Sequence, residues 1–84
     1  MKKITLTKHA IEQCVERGTN ESEIREAVAR GIKEPAKGGR TLCRANFQFN
    51  GTWQGRAYRI KQVAPVIIEE SEEFVVITVY TFYF

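Results

Sequence analysis

The chain has no aspartate and only one histidine, and both shortages narrow the chemistry that it can perform. All ten acidic residues are glutamates, and they fall mostly on the outer faces of predicted helices or in a turn at 69–73. Two-metal nucleases need several carboxylates that converge on hard cations. The sequence therefore disfavours a metal-dependent hydrolase, and we expect neither a metal site nor a cofactor.

Cysteines and long apolar runs are also scarce. Cys14 and Cys43 are the only two cysteines and form no CxxC pair, which favours free thiols in a reducing compartment over a disulfide. No segment approaches the roughly 20 apolar residues of a membrane span. The basic start at 1–6 is not followed by the apolar run of a signal peptide. We therefore expect a cytoplasmic protein that does not enter a membrane.

Positive charge is concentrated in the middle of a chain whose 84 residues predict one domain, 1–84. Residues 1–32 carry a net charge of +1, residues 33–61 carry +6, and residues 62–84 carry −4. A basic segment of this kind attracts a polyanion such as RNA, or an acidic protein partner. An ordinary solvated sheet face has a similar composition, so both interpretations stay open.

Two amphipathic helices are predicted near the start. The first spans about Lys8 to Arg17, with Thr7 as its N-cap, and its predicted buried face contains Ala10, Ile11, Cys14 and Val15. The second opens with the capping-box pattern of Asn20 and Glu23. Its apolar stripe contains Ile24, Ala27 and Val28. Gly31 suits a left-handed position after its last turn.

The remainder predicts strands. The segment from 33 to 40 contains Pro35, Gly38 and Gly39 and is typical of a loop. Alternation predicts strands over 41–49, 56–70 and 74–84, with a hairpin turn at Asn50-Gly51. Pro65 should mark a bulge or an edge. The fold class is therefore α+β: two N-terminal helices, with a short strand at 4–6 left open before them, followed by an antiparallel sheet of three or four strands.

The last strand has two different apolar faces. One contains the aliphatic side chains Val75, Ile77 and Val79, which suit packing against helices. The other contains Phe74, Val76, Thr78, Tyr80, Phe82 and Phe84, and its Tyr80/Phe82 surface would then be open for bases to stack on or for a second subunit. Aromatic residues at this spacing are also typical of a core or an interface.

A short motif in the first helix carries a resemblance to known proteins. His9-Ala10 followed by Glu16-Arg17-Gly18, together with the final Val76–Tyr80 strand, resembles a family of small uncharacterised bacterial and phage domains. That family is similar to RelE- and BrnT-like toxins, which cleave RNA without metal. The resemblance implies a RelE-like arrangement of helices before an antiparallel sheet. The chain departs from the family pattern at Gln13, where an arginine is usual, which removes one candidate phosphate contact.

The resemblance implies a metal-independent endoribonuclease, acting as a toxin that an acidic antitoxin neutralises. Such cleavage uses the 2′-hydroxyl as nucleophile and needs a base, an acid and cations around the charged phosphorane. His9, the only histidine, is the first candidate for proton transfer. The second role would fall to Tyr80, Lys61 or an arginine, of which Tyr80 is the candidate we choose. His9 is equally typical of a helix-start residue that makes a local hydrogen bond.

The candidate phosphate-binding residues are cationic or hydroxyl-bearing. Arg17 can clamp a phosphate, although an arginine at a helix C-terminus also complements the helix dipole. The other candidates for substrate binding are Arg44, Arg59, Lys61 and Thr78. Arg59 and Lys61 are expected to share a sheet face and, with Arg44, to form a cationic platform.

Two rival interpretations do not involve catalysis. The same fold serves as a non-catalytic module that binds RNA or a protein. It also serves as a structural homodimer that pairs through the last strand, which ends in the apolar extension 81–84.

Overall fold

The computed structural model describes residues 2–84, in which strands precede and follow a pair of helices. The elements in chain order are β1 Lys3–Leu6, α1 Lys8–Arg17, α2 Glu21–Arg30, β2 Ile32–Ala36, β3 Arg40–Trp53, β4 Arg56–Glu69 and β5 Glu73–Tyr83. The strands form one sheet in the order β1-β5-β4-β3-β2, with β4 in the centre. β1 runs parallel to β5, whereas the other neighbouring strands are antiparallel.

The expected fold, two N-terminal helices before a RelE-like antiparallel sheet of three or four strands, is wrong. The sheet has five strands and is mixed. The short strand that the sequence left open at 4–6 is present as β1, before both helices. The segment 33–40, expected as a loop, instead contains most of β2 and its hairpin to β3. Pro35 indicated a loop there, but it lies in an edge strand, which tolerates a residue without an N–H group.

The hairpin between β3 and β4 turns later than the sequence predicted. β3 continues through Asn50 to Trp53, and the turn is formed by Gln54 and Gly55, with φ angles of 50° and 82°. Asn50 has a φ of 46° and lies at a register shift between the two strands. A residue with positive φ suits both a hairpin turn and a bulge, so the Asn-Gly signal does not distinguish them.

Helix α1 is capped as predicted but is rotated away from its predicted packing face. The side chain of Thr7 accepts a hydrogen bond from the Ala10 N–H group, which confirms the N-cap. The buried residues of α1 are Ala10 and Gln13, whereas Ile11 and Val15 are 51% and 86% exposed. The predicted buried face was therefore correct for Ala10 and for Cys14, which packs partly buried against the core, and wrong for Ile11 and Val15. The amide of Gln13 is buried because it binds polar groups of β5, and this interaction sets the rotation of the helix.

Helix α2 packs with the predicted stripe. Asn20 accepts a hydrogen bond from the Glu23 N–H group, and the buried residues are Ile24, Ala27 and Val28, as the capping box and spacing predicted. Gly31 ends the helix in an extended conformation with a φ of −70°, not in the predicted left-handed one. A Cβ atom there would lie 2.4 Å from the Ala27 carbonyl oxygen. Glycine is needed at this position because β3 and the helix end approach it closely.

A bulge in the sheet divides β5 into two halves with different alternation. The register between β4 and β5 shifts where Val66 faces Thr78 and the next residue, Ile67, faces Val76. Before the shift, Val76 packs in the core, and after it Val79 does. The predicted helix-facing set was therefore correct only for Val79. Pro65 lies directly beside this shift, in agreement with the bulge that the proline indicated.

One hydrophobic cluster joins both helices to the same face of the sheet. Its buried members are Ala10, Ile24, Val28, Cys43, Val63, Ile67, Val76 and Val79. Both helices therefore cover one face, and the opposite face has no helix against it in residues 2–84. Neither helix in this part of the chain has the length and apolar character that crossing a membrane requires.

Candidate nucleic-acid interface

The face of the sheet opposite the helices, called the open face below, gathers aromatic, basic and small apolar residues. Its members alternate along each strand with the core residues Cys43, Val63 and Val79. They are Leu42, Arg44 and Asn46 on β3, Gln62, Ala64 and Val66 on β4, and Thr78, Tyr80 and Phe82 on β5. The strand register places Ala64 beside Tyr80, and Gln62 between Asn46 and Phe82.

Three aromatic side chains form a row along one side of the open face. Tyr80, Phe82 and the following Phe84 are 43%, 44% and 57% exposed. They are two residues apart along an extended chain, so successive rings are separated by about 6.8 Å. Aromatic rings of this size are normally buried because they remove a large apolar area from water. Their joint exposure marks this row as a surface suited to a planar or apolar ligand.

Arg44 lies beside the aromatic row and is held there by its neighbours. Its guanidinium carbon is 5.5 Å from the centroid of the Phe82 ring. The guanidinium donates to Oε1 of Gln62 at 2.9 Å and to Oε1 of Glu34 at 3.2 Å and 3.3 Å. Both members of the Glu34 ion pair are partly exposed, and such a pair contributes about 0–1 kcal/mol. A phosphate can therefore replace the carboxylate at low cost.

The structure brings Arg17 and Tyr80 together, two of the residues that the sequence singled out. The guanidinium carbon of Arg17 is 5.6 Å from the Tyr80 ring centroid. The carbonyl oxygen of Arg17 accepts hydrogen bonds from the hydroxyls of Thr81 at 2.7 Å and Tyr83 at 2.8 Å. These bonds fix the end of α1 against β5, so the Arg17 side chain starts from a rigid anchor beside the aromatic row.

His9 is at the other end of the same helix. It is exposed, and within residues 2–84 its imidazole makes no hydrogen bond or ion pair with a side chain or with the backbone, the cap of the helix being made by Thr7. Eight residues separate it from Arg17, which corresponds to about 12 Å along the helix axis. The local hydrogen bond that a helix-start histidine often makes is therefore not formed, and His9 is two turns away from the Arg17–Tyr80 pair.

Lys61 is on the helix side of the sheet and not on the open face. It is 7% exposed, and its Nζ atom lies 2.8 Å from Oε1 of Glu23 and 2.9 Å from the carbonyl oxygen of Gly18. Arg59, in contrast, is exposed near the β3–β4 hairpin, and both its amide and that of Ile60 donate to the Phe84 carbonyl. The expected platform of Arg44, Arg59 and Lys61 is therefore not formed, because the lysine is part of the core.

Thr78 and Gln13 form a polar contact at the margin of β5. The Thr78 hydroxyl and the Val79 N–H group both donate to Oε1 of Gln13, at 2.5 Å and 3.1 Å. β1 pairs with β5 only as far as Val76, so Gln13 occupies the strand edge just beyond β1. The glutamine that departs from the family pattern thus has a structural role, and it obstructs the strand pairing expected of a dimer through β5.

The other ionisable groups are not prepared for nucleophilic chemistry. Both cysteines are free, as the sequence predicted. Burial raises the pKa of the Cys14 and Cys43 thiols, so both stay protonated at neutral pH. Burial likewise raises the pKa of Tyr83, which keeps its hydroxyl a donor to Arg17. Within residues 2–84, no three His, Cys or Glu side chains are arranged to hold a metal ion.

Sequence reasoning missed two cationic residues at the end of the open face. Lys37 and Arg40 lie in the hairpin between β2 and β3 and line a cavity with Tyr80 and Phe82. Because the sequence predicted a loop for this segment, it gave no reason to place Lys37 and Arg40 beside the sheet. The segment Ile32–Ala36 shows no apolar alternation that could have indicated the strand.

Comparisons of the chain with family models, with curated proteins and with solved structures give no match.

Proposed function

We propose that this protein binds single-stranded RNA on the open face of its sheet. The observation that carries the proposal is the row of three exposed aromatic rings with Arg44 beside it. Bases of a single strand stack on such rings whatever their sequence, because every base has a π-face. An uncovered sheet with exposed aromatic residues is one of the general means by which proteins bind unpaired RNA.

The charges around the row support an anionic, extended ligand. Arg44 is central, Arg17 is beside Tyr80, and Lys37 and Arg40 are at the β2–β3 hairpin. These cations flank the rings on more than one side, as a strand with bases on the aromatic row and phosphates beside it requires. The proposal includes a location in the cytoplasm, where RNA is present and where a reducing environment keeps the thiols of Cys14 and Cys43 free.

Removing two rings of the row should abolish most of the affinity for RNA. We expect the double variant Tyr80→Ala/Phe82→Ala to bind a fluorescein-labelled oligouridine at least about thirtyfold more weakly, since each stacked base contributes about 1–3 kcal/mol. Fluorescence anisotropy at several salt concentrations measures the affinity. The salt dependence reports the phosphate contacts, which the alanine substitutions leave in place.

The matched control removes apolar side chains from a different exposed surface. Ile11→Ala/Val15→Ala shortens two exposed residues of α1. The affinity for RNA should stay within about twofold of the wild type, because scattered apolar residues on a protein surface are common and do not by themselves form a binding site. Equal affinity of the wild type and the aromatic variant would contradict the proposal. Sedimentation that shows a wild-type dimer dissociated by Tyr80→Ala/Phe82→Ala would instead assign the row to a subunit interface.

Metal-independent cleavage of the bound RNA is a second candidate function, and the Arg17–Tyr80 contact favours it. In this reaction the 2′-oxygen forms a bond to phosphorus, the bond from phosphorus to the 5′-oxygen breaks, a base takes the 2′-proton, and an acid protonates the 5′-oxygen. Arg17 has the charge to stabilise the phosphorane. The Tyr80 hydroxyl is the candidate acid. His9 is the candidate base that the resemblance implies, although it lies two helical turns away from the Arg17–Tyr80 pair.

Cleavage can be separated from binding by changing the hydroxyl and keeping the ring. We expect Tyr80→Phe to keep its affinity for RNA and to lose about 100-fold or more of the cleavage rate measured in EDTA, since a positioned acid contributes about 10²–10⁴-fold. His9→Gln should lose a similar factor if the imidazole is the base. Unchanged rates in both variants would contradict these roles. A wild-type protein that binds RNA without cleaving it would leave the binding function alone.

A further inference from the structure

A cavity of about 510 Å³ lies where the open face meets the β2–β3 hairpin. Its wall is mostly apolar and aromatic, and the residues that line it are Ala36, Lys37, Arg40, Leu42, Val66, Thr78, Tyr80 and Phe82. Sites for small ligands have volumes of about 300–1,000 Å³ and combine apolar walls with a few polar groups. The cavity therefore has the size and composition for one planar group, at the end of the aromatic row.

Two cations stand at this cavity without carboxylate partners. Lys37 and Arg40 are both exposed, and neither forms an ion pair in residues 2–84. Arg44, further along the same strand as Arg40, is instead engaged by Glu34. The hairpin thus offers two unoccupied positive charges beside an apolar cavity, which complements a ligand with a flat apolar part and a strongly anionic part.

The sheet becomes acidic immediately beyond this point. Thr41 at the start of β3 pairs with Ile67 near the end of β4, so the β2–β3 hairpin and the β4–β5 turn lie at the same end of the sheet. That turn and its flanks contain Glu69, Glu70, Glu72 and Glu73. Glu69 is bridged to Lys2. A phosphodiester backbone that continued past the cavity would meet this group of carboxylates, so a bound strand is favoured to end in the cavity.

We propose that this cavity binds the terminal nucleotide of a strand and its phosphate monoester. The base packs against Tyr80, Leu42 and Val66, and the phosphate lies between Lys37 and Arg40. A monoester carries about −1.5 to −2 charges at neutral pH, against about −1 for each diester, which suits two unpaired cations. The inference rests on the RNA-binding function proposed above and adds a preference for phosphorylated ends. A free nucleoside monophosphate shares the same chemistry.

The test compares short oligoribonucleotides of one sequence with a 5′-phosphate, with a 3′-phosphate, or with neither, by competition anisotropy. We expect one phosphorylated form to bind about tenfold more tightly than the unphosphorylated form, as additional charge-assisted contacts predict. In Lys37→Gln/Arg40→Gln this advantage should disappear, so that all three oligonucleotides bind with one affinity, which is lower than that of the wild type for the unphosphorylated strand because two charges are lost. Both substituted residues are exposed, so the variant is expected to fold.

The matched control neutralises two exposed arginines at the opposite end of the sheet. Arg56→Gln/Arg59→Gln should weaken all three oligonucleotides by the same factor and keep the tenfold preference. Equal binding of all three to the wild type would overturn the terminal site and leave the RNA-binding function intact, whereas no binding of any strand would overturn both. Adenosine monophosphate that binds as tightly as the phosphorylated strand would identify free nucleotides as the ligands of the site.

Discussion

Replacing Gly18 with alanine is expected to destabilise the fold by about 3 kcal/mol or more. Gly18 has a φ of 75°, which costs an L-residue about 1–2 kcal/mol. The added Cβ atom would also lie 2.4 Å from the Tyr83 hydroxyl oxygen and 2.6 Å from Cζ3 of Trp53. Tyr83 cannot move away easily, because its ring is stacked on Trp53 at 5.1 Å and also contacts Phe49 and Tyr58. Urea denaturation measures the loss.

Gly39→Ala is the matched control for this substitution. Gly39 has the same φ of 75°, but no atom lies within 4 Å of the position that its Cβ would take. Its replacement therefore carries the conformational cost alone, about 1–2 kcal/mol. The difference between the two variants isolates the close packing at Gly18. If Gly18→Ala loses no more stability than Gly39→Ala, the aromatic cluster accommodates a methyl group and close packing does not require glycine at this position.

This environment gives the Glu16-Arg17-Gly18 motif a structural explanation. The carbonyl of Arg17 binds two hydroxyls of β5, and the carbonyl of Gly18 accepts a hydrogen bond from Lys61. The motif therefore anchors the end of α1 to two strands. Of its members, Arg17 alone directs a side chain toward the open face, at Tyr80.

Local signals predicted what depends on neighbouring residues in the chain. The caps at Thr7 and Asn20 and the buried stripe of α2 are set within one or two helical turns, so the sequence was sufficient. The parallel pairing of β1 depends on β5, which lies more than 65 residues away in the chain. Strand β2 tolerates Pro35 because it lies at the edge of the sheet. Periodicity does not report such partners, and the mixed sheet was missed for that reason.

The candidate site was predictable in its aromatic part and not in its cationic part. Alternation placed Tyr80 and Phe82 on one face, and the strand between the bulge and its end keeps that alternation. Charge alone could not separate Arg44, which is beside the rings, from Lys61, which is buried with Glu23. The sequence shows the same residue whether a lysine lies in the core or on the surface, and the carboxylate that permits the burial of Lys61 comes from another element.

Removing the carboxylate of Glu23 is expected to cost about 3 kcal/mol, because Glu23→Ala leaves the Lys61 ammonium buried with one carbonyl as its partner. The side chains of Lys61 and Glu23 are 9% and 21% exposed, and breaking a buried pair costs about 3–5 kcal/mol. Glu26→Ala is the matched control, since it removes an exposed pair with Arg30 and should cost less than about 0.5 kcal/mol. Thermal or urea denaturation distinguishes the two.

Lys61→Met then tests whether the lysine serves the fold or the ligand. Methionine keeps the length of the side chain and removes its charge, so in the Glu23→Ala background it should restore most of the lost stability. At a temperature where the single variant Lys61→Met and the wild type are both folded, the variant should bind RNA with an affinity within about twofold of the wild type. Arg44→Ala should bind at least about tenfold more weakly, because it removes a charged contact. If Lys61→Met lost as much affinity for RNA as Arg44→Ala, Lys61 would be part of the RNA-binding surface. We do not expect this result, because Lys61 is buried on the helix side of the sheet, where it contacts Glu23 and the Gly18 carbonyl.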